Sequence, residues 1–199
     1  MLGDFFKVQR GQVTGANAIW IARQGVPQVP RKYLFPTVTD AGEIIGLGGA
    51  PLRNADKLQQ VIDLPADLAT LPDAERKQIG AFLDWAKREG VTRSYVVTHR
   101  KPWWRVGLKP PPPIIMTYMG RRPPVFARNL ANARLLNIAH GLYPLRPVSP
   151  RVMEALVAWL NANVSVAHGR TYGGGLVKFE PGEAMRIPVP PLEYFNHVA

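Results

Sequence analysis

Pro110-Pro111-Pro112-Pro113-Ile114-Ile115-Met116-Thr117-Tyr118-Met119-Gly120-Arg121-Arg122-Pro123-Pro124-Val125-Phe126-Ala127-Arg128 decides the fold class. Each proline ring fixes φ and steers the residue before it away from helix, so Pro110–Pro113 must run extended. Ile114–Met119 and Val125–Arg128 then read as strands, joined by a turn that carries Gly120, Arg121 and Arg122. Working outward, Ser94–Thr98 and Leu135–Ala139 are further strand candidates, and Leu176–Phe179 is another behind the glycine run Tyr172-Gly173-Gly174-Gly175. The chain then ends on Ile187-Pro188-Val189-Pro190-Pro191, an extended tail pinned by proline.

Helical patterns bracket these strands. Asn54–Asp63 looks helical, and Asp73–Glu89 repeats Ile79, Phe82, Leu83 and Ala86 at helical spacing, with Asp73 as the expected cap and Lys87-Arg88 suited to the other end. Ser149 as N-cap and Pro150 at the first helical position open a third helix, which runs through Met153, Leu156, Val157 and Leu160 to about Asn163. At the start of the chain, Lys7–Gly11 and Ala18–Ala22 read as extended segments around Gln12–Asn17. Gly15 and Asn17 there supply positive-φ positions, which predicts a β-hairpin or a strand–turn–strand opening. The expectation is an α+β fold with a short mixed or antiparallel β-sheet, segregated helices and no Rossmann core. At 199 residues it is read as a single domain over 1–199, divisible into a hairpin-plus-helices part (1–90) and a basic β-rich part with the last helix (91–199).

Charge is concentrated in the second part. From Gly90 to Met153 there is no Asp or Glu, and Val91–Pro150 supplies ten of the eleven net positive charges. Arg93, Arg100, Lys101, Arg105, Lys109, Arg121, Arg122, Arg128, Arg134, Arg146 and Arg151 are interleaved with Tyr95, Trp103, Trp104, Tyr118, Phe126 and Tyr143. Such a block is an electrostatic footprint for a polyanion, with flat rings available for stacking. Apolar runs inside it, Tyr95-Val96-Val97 and Ile114-Ile115-Met116, mount the charges on structure and not on a solvated tail. In Thr98-His99-Arg100-Lys101-Pro102-Trp103-Trp104-Arg105 the two rings should point to opposite sides of an extended chain, one into the core and one outward.

Other chemistries find little support. Without cysteine there are no disulfides, zinc thiolates or thiol nucleophiles. His99, His140, His168 and His197 have no metal-ligand spacing, and neither His-Glu-x-x-His nor Gly-x-Ser-x-Gly occurs. Gly46-Leu47-Gly48-Gly49-Ala50-Pro51 ends in proline where a dinucleotide loop carries its last glycine, which disfavours a phosphate cradle. No run reaches the roughly 18 apolar residues that span a bilayer and no signal peptide opens the chain, so a cytoplasmic location and no membrane partner are expected.

The order of several short motifs carries a resemblance. Val8-Gln9-Arg10-Gly11-Gln12-Val13-Thr14-Gly15-Ala16-Asn17, Tyr33-Leu34-Phe35-Pro36, Trp103-Trp104, Pro113-Ile114-Ile115 leading into Phe126-Ala127-Arg128-Asn129, Leu160-Asn161-Ala162, Tyr172–Pro181 and Ile187-Pro188-Val189-Pro190 together resemble the TaqI-like C-terminal specificity domain of adenine-specific N6 DNA methyltransferases. The likeness runs across nearly the whole chain. It implies a target-recognition domain of a restriction–modification enzyme that binds double-stranded DNA. The partner is then a methyltransferase domain or subunit that binds S-adenosylmethionine and methylates a flipped adenine.

The catalytic marks of that family are missing here. No glycine-rich cofactor loop is found, and the Pro-Pro pairs lack the preceding Asn or Asp and the following aromatic. The expectation is therefore a reading part without catalytic residues, cofactor site or metal of its own. DNA-binding candidates are Arg100, Lys101, Trp103, Trp104, Arg105, Lys109, Arg121, Arg122, Arg128 and Arg134, with Arg10, Thr14 and Asn17 in the opening turn and Arg170 beside Gly173–Gly175. An RNA-binding module using the same block and an enzyme acting on a phosphorylated small molecule are the alternatives.

Overall fold

A computed structural model of the chain describes residues 1–196; His197 lies outside the described residues. The first strands are β1 (Phe6–Arg10), β2 (Ile21–Ala22), β3 (Leu34–Val38) and β4 (Gln59–Ile62). Next come β5 (Ile114–Thr117), β6 (Met119–Gly120), β7 (Phe126–Arg128), β8 (Arg134–Leu135) and β9 (Ala139–Pro144). β10 (Arg170–Tyr172) and β11 (Leu176–Lys178) follow. The helices are α1 (Asn17–Trp20), α2 (Ala41–Ile45), α3 (Asp73–Arg88), α4 (Tyr95–Thr98), α5 (Pro150–Asn163) and α6 (Pro181–Met185).

The architecture is α+β, built on small sheets. In the order β1-β9-β5-β7 all pairings are antiparallel, as they are in β10-β11-β6. In β2-β4-β3-β8 the β3–β8 pair alone is parallel. β5 reads as an unbroken apolar run because it is covered on both faces. Side chains alternate along a strand, so Ile114 and Met116 join Phe126 against Leu156, Val157 and Leu160 of α5, while Ile115 packs with Ala127, Ile44 and Val38 on the other side.

α5 forms where the sequence places it. Ser149 Oγ accepts from the Val152 amide at 3.3 Å, and Pro150 occupies the first turn, where its missing N–H has no intrahelical role. Asn161 then clamps the helix to β7. It accepts from the Phe126 amide at 2.9 Å and donates to the Phe126 carbonyl at 2.8 Å. α3 buries Ile79, Phe82, Leu83 and Ala86 against Trp20, Ile62, Leu64, Val97 and Val106.

Several sequence expectations are corrected. The opening is no hairpin, because β1 pairs with β9 and β2 with β4. Gly15 does take a positive φ, 75°, but the turn leads into α1 instead of folding Ala18–Ala22 back onto β1. Asn54–Asp63 is not a helix: Asn54 caps one 3-10 turn, and Gln59–Ile62 becomes β4 because Val61 and Ile62 pair with Phe35 and Leu34. Ser94–Thr98 holds the single helical turn α4, closed by the Thr98 amide on the Ser94 carbonyl at 3.0 Å. Leu135–Ala139 splits between the end of β8 and the start of β9. The N-cap of α3 is Pro72, so Asp73 is the first helical residue.

Candidate nucleic-acid interface

Arg10, at the end of β1, is the centre of a basic cluster drawn from distant parts of the sequence. The next residue, Gly11, permits the approach of β1 to the Leu136 loop: a Cβ there would lie 1.8 Å from the Leu136 carbonyl oxygen. Lys109 Nζ donates to the Arg10 carbonyl at 2.7 Å, and Arg134 Nη1 donates to the Lys109 carbonyl at 2.6 Å. The Arg134 guanidinium also sits 5.0 Å over the Phe35 ring. Arg100 donates to the Val13 carbonyl. Burial, followed by the charge of Lys7, lowers the Lys109 pKa, and burial lowers that of Arg100.

A second basic patch lies at the turn between β6 and β7. Arg121 Nε donates to the Gly174 carbonyl at 3.2 Å, tying this turn to the glycine run between β10 and β11, while Arg122 is exposed. Lys178 Nζ stands 4.8 Å over the Tyr172 ring. A cleft of about 240 Å³ opens here, lined by Ile45, Tyr118, Arg121, Arg122, Pro124 and Phe179 among others. Tyr118 also lines a neighbouring recess of about 160 Å³ together with Arg10, Asn137, His140, Lys178 and Glu180, so it links the two patches.

Carboxylates neutralise only part of this surface. Arg10 pairs with Glu180 at 2.6 Å and Arg170 with Glu183 at 2.8 Å, and the Glu183 charge raises the Arg170 pKa. Within Val91–Pro150, and among the described residues, Arg128 alone forms an ion pair, with Glu154 at 3.7 Å. Lys101, Arg105, Arg121 and Arg122 are exposed, Arg100, Lys109 and Arg134 are half-buried, and Asn17 is exposed at the start of α1.

Four expected contact residues are engaged by the fold itself. Arg128 is 6% exposed and donates to the Pro150 carbonyl at 2.9 Å, because its register opposite Ile114 turns it inward. Thr14 is 1% exposed, with its hydroxyl donating to the Asn17 amide oxygen within the turn. Trp103 and Trp104 do not diverge: both pack on the α3 core. Trp103 lies 6.4 Å from Trp20 and Trp104 Nε1 donates to the Pro65 carbonyl at 3.0 Å. Tyr118, Asn137, His140, Lys178 and Glu180 do not stand out in the sequence as site residues. What unites them is sheet register, such as Arg10 opposite His140, and no local spacing reports it.

The sequence matches the family described as type II methyltransferase M.Eco57I, C-terminal domain, over residues 1–198. The type II methyltransferase M.XamI of Xanthomonas campestris pv. amaranthicola is 52% identical over 192 residues, which cover 96% of this chain and 36% of that protein. The type II methyltransferase M.AccI of Acinetobacter calcoaceticus is 24% identical over 187 residues, 90% of this chain and 34% of that protein. The chain thus spans about a third of the length of the curated relatives it matches.

Proposed function

Because the chain belongs to the family of type II methyltransferase C-terminal domains, we propose that it is the part of such an enzyme that grips and reads double-stranded DNA. The chemistry then belongs to an S-adenosylmethionine-binding methyltransferase region outside these residues, acting on adenine N6 in the cytoplasm. The adenine assignment rests on the motif resemblance. Strands from both halves of the sequence share sheets, β1 with β9 and β3 with β8, which supports one recognition unit over 1–199. No helix among the described residues is long and apolar enough to cross a membrane.

The observation that carries the reading is the convergence of Arg10, Arg100, Lys109 and Arg134, with Tyr118 joining the recess at Arg10 to the cleft at the Arg121–Arg122 turn. Drawing a base out of a duplex costs a few kcal/mol, so a base-flipping enzyme must hold the flanking DNA firmly. Phosphate contacts supply affinity and register, and an arginine reaching a base edge adds sequence preference. The exposed Arg122 and the partly committed Arg121 are the residues we propose for that second role.

Fluorescence anisotropy with duplex DNA, single-stranded DNA and structured RNA, at matched salt, tests the proposal. Duplex DNA should bind most tightly; a preference for RNA would overturn the reading. The purified chain should also transfer no methyl group from labelled S-adenosylmethionine to DNA, and robust transfer would refute the division of labour.

A further inference from the structure

Two exposed apolar side chains meet the arginines of the β6–β7 turn. Met119 in β6 is 48% exposed and Ile45, the last residue of α2, is 46% exposed. Successive helical residues are about 100° apart, so burying Ile44 in the cluster that holds Ile115 leaves Ile45 turned out. Both Met119 and Ile45 line the cleft of about 240 Å³ that Arg121 and Arg122 also line. Pro124 and Phe179, both buried, extend its apolar lining. No carboxylate belongs to that lining among the described residues, in contrast to the recess at Arg10, where Glu180 takes part.

The cleft is also framed in advance. The Thr117 amide donates to the Val125 carbonyl at 3.0 Å, and Thr117 Oγ1 accepts from the Val125 amide at 2.9 Å, which pins the two ends of the segment between them. Within that segment Pro123 and Pro124 fix φ, and Arg121 is tied to the Gly174 carbonyl. A wall held in place this way discriminates between ligands without paying for its own ordering.

We propose that this cleft seats the C5-methyl group of a thymine in the duplex, with Met119 and Ile45 as the residues that read it. The inference rests on the DNA-binding reading and adds a base preference to it. A phosphate drawn in by Arg121 and Arg122 would give up water against Met119, Ile45 and Phe179, which disfavours a charged occupant. On the major-groove edges of the base pairs, thymine alone presents a methyl group beside the hydrogen-bond donors and acceptors. An apolar lining flanked by guanidinium groups complements that methyl and the phosphates near it together. The flexible thioether of Met119 adapts to so small a group. The base stays paired throughout, because the methyl projects into the groove from the intact helix.

A duplex selected by the wild-type chain from a randomised pool is the probe, compared at fixed salt with the same duplex carrying uracil in place of every thymine. Pairing is unchanged and only the methyl groups are lost. The thymine duplex should bind about fourfold more tightly for each methyl seated, as expected for burying one carbon. The double variant Met119→Ser, Ile45→Ser should bind both duplexes alike, and because both positions are exposed it should unfold at the wild-type temperature. Equal affinity of the wild-type chain for the two duplexes overturns the inference, whatever the variant does. A full preference kept by the folded variant, or a selected sequence without a T·A pair, overturns it as well. Failure to select any duplex would instead overturn the DNA-binding reading beneath it.

Discussion

Asn129 follows β7 and holds three backbone groups at once. Its Nδ2 donates to the carbonyls of Pro112 and Ala133, both at 2.9 Å, and its Oδ1 accepts from the Ala133 amide at 3.0 Å. The residue is 5% exposed, so water cannot replace these bonds when the side chain is removed. Asn129→Ala should lower the unfolding free energy by about 2–4 kcal/mol, read as a shifted urea midpoint. His140 supplies a pH-dependent counterpart. Buried beneath Tyr118 and beside Arg10 and Glu180, it takes a proton only at about 4, against 6.5 for a free imidazole. Between those values the unfolded chain binds more protons, so stability is whole above about pH 6.5 and declines toward pH 4, by up to about 3 kcal/mol. His140→Leu should flatten that part of the Tm-against-pH curve, and an unchanged slope would assign the acid sensitivity to other groups. Residue type and local charge do single out Arg121 and Lys109 for the candidate site. They cannot distinguish them from Arg128, whose inward direction depends on a partner strand.

At the scale of elements, legibility follows how locally each element is determined. α5 is readable because its cap, its first-turn proline and its apolar stripe all lie within or beside the helix. α3 is readable for its length and periodicity, although Pro72 takes the N-cap position expected of Asp73. β5 and β7 are readable from the prolines and the apolar runs. The failures are short segments decided by distant neighbours. In Asn54–Asp63, Leu58, Val61 and Ile62 have helical spacing, yet β3 offers them a pairing edge and the β-branched pair takes it. In Ser94–Thr98 the β-branched residues favour a strand, but Thr98 Oγ1 donates to the Tyr95 carbonyl at 3.0 Å and stabilises a turn instead. The cap of α5 offers a direct check: Ser149→Ala should cost about 1 kcal/mol in thermal unfolding. A cost near zero would mean that docking through Asn161 alone determines where this helix begins.

The whole molecule arranges its charge by bringing Arg10 from the first strand to a block about a hundred residues later in the sequence, while Glu180 and Glu183 temper the edge near Arg10 and Arg170. A binding surface made this way should reveal itself in salt dependence more than in any single affinity. Each phosphate that the protein neutralises releases counterions, so the slope of log K against log salt shrinks by about 0.9 for every phosphate left unneutralised. Arg121 and Arg122 sit on the exposed turn beside the cleft, whereas Lys57 and Lys77 lie exposed on the 3-10 turn before β4 and on α3 and line neither the cleft nor the recess. Replacing both arginines with alanine should therefore weaken duplex binding and reduce the slope by up to about 2, and the double alanine variant of the lysines should leave the slope unchanged. If Arg121 and Arg122 read base edges instead of phosphates, affinity will fall with the slope intact and discrimination between sequences will narrow. Equal weakening by the arginine and lysine variants would mean that binding follows net charge alone, and the converged surface would have no privileged role.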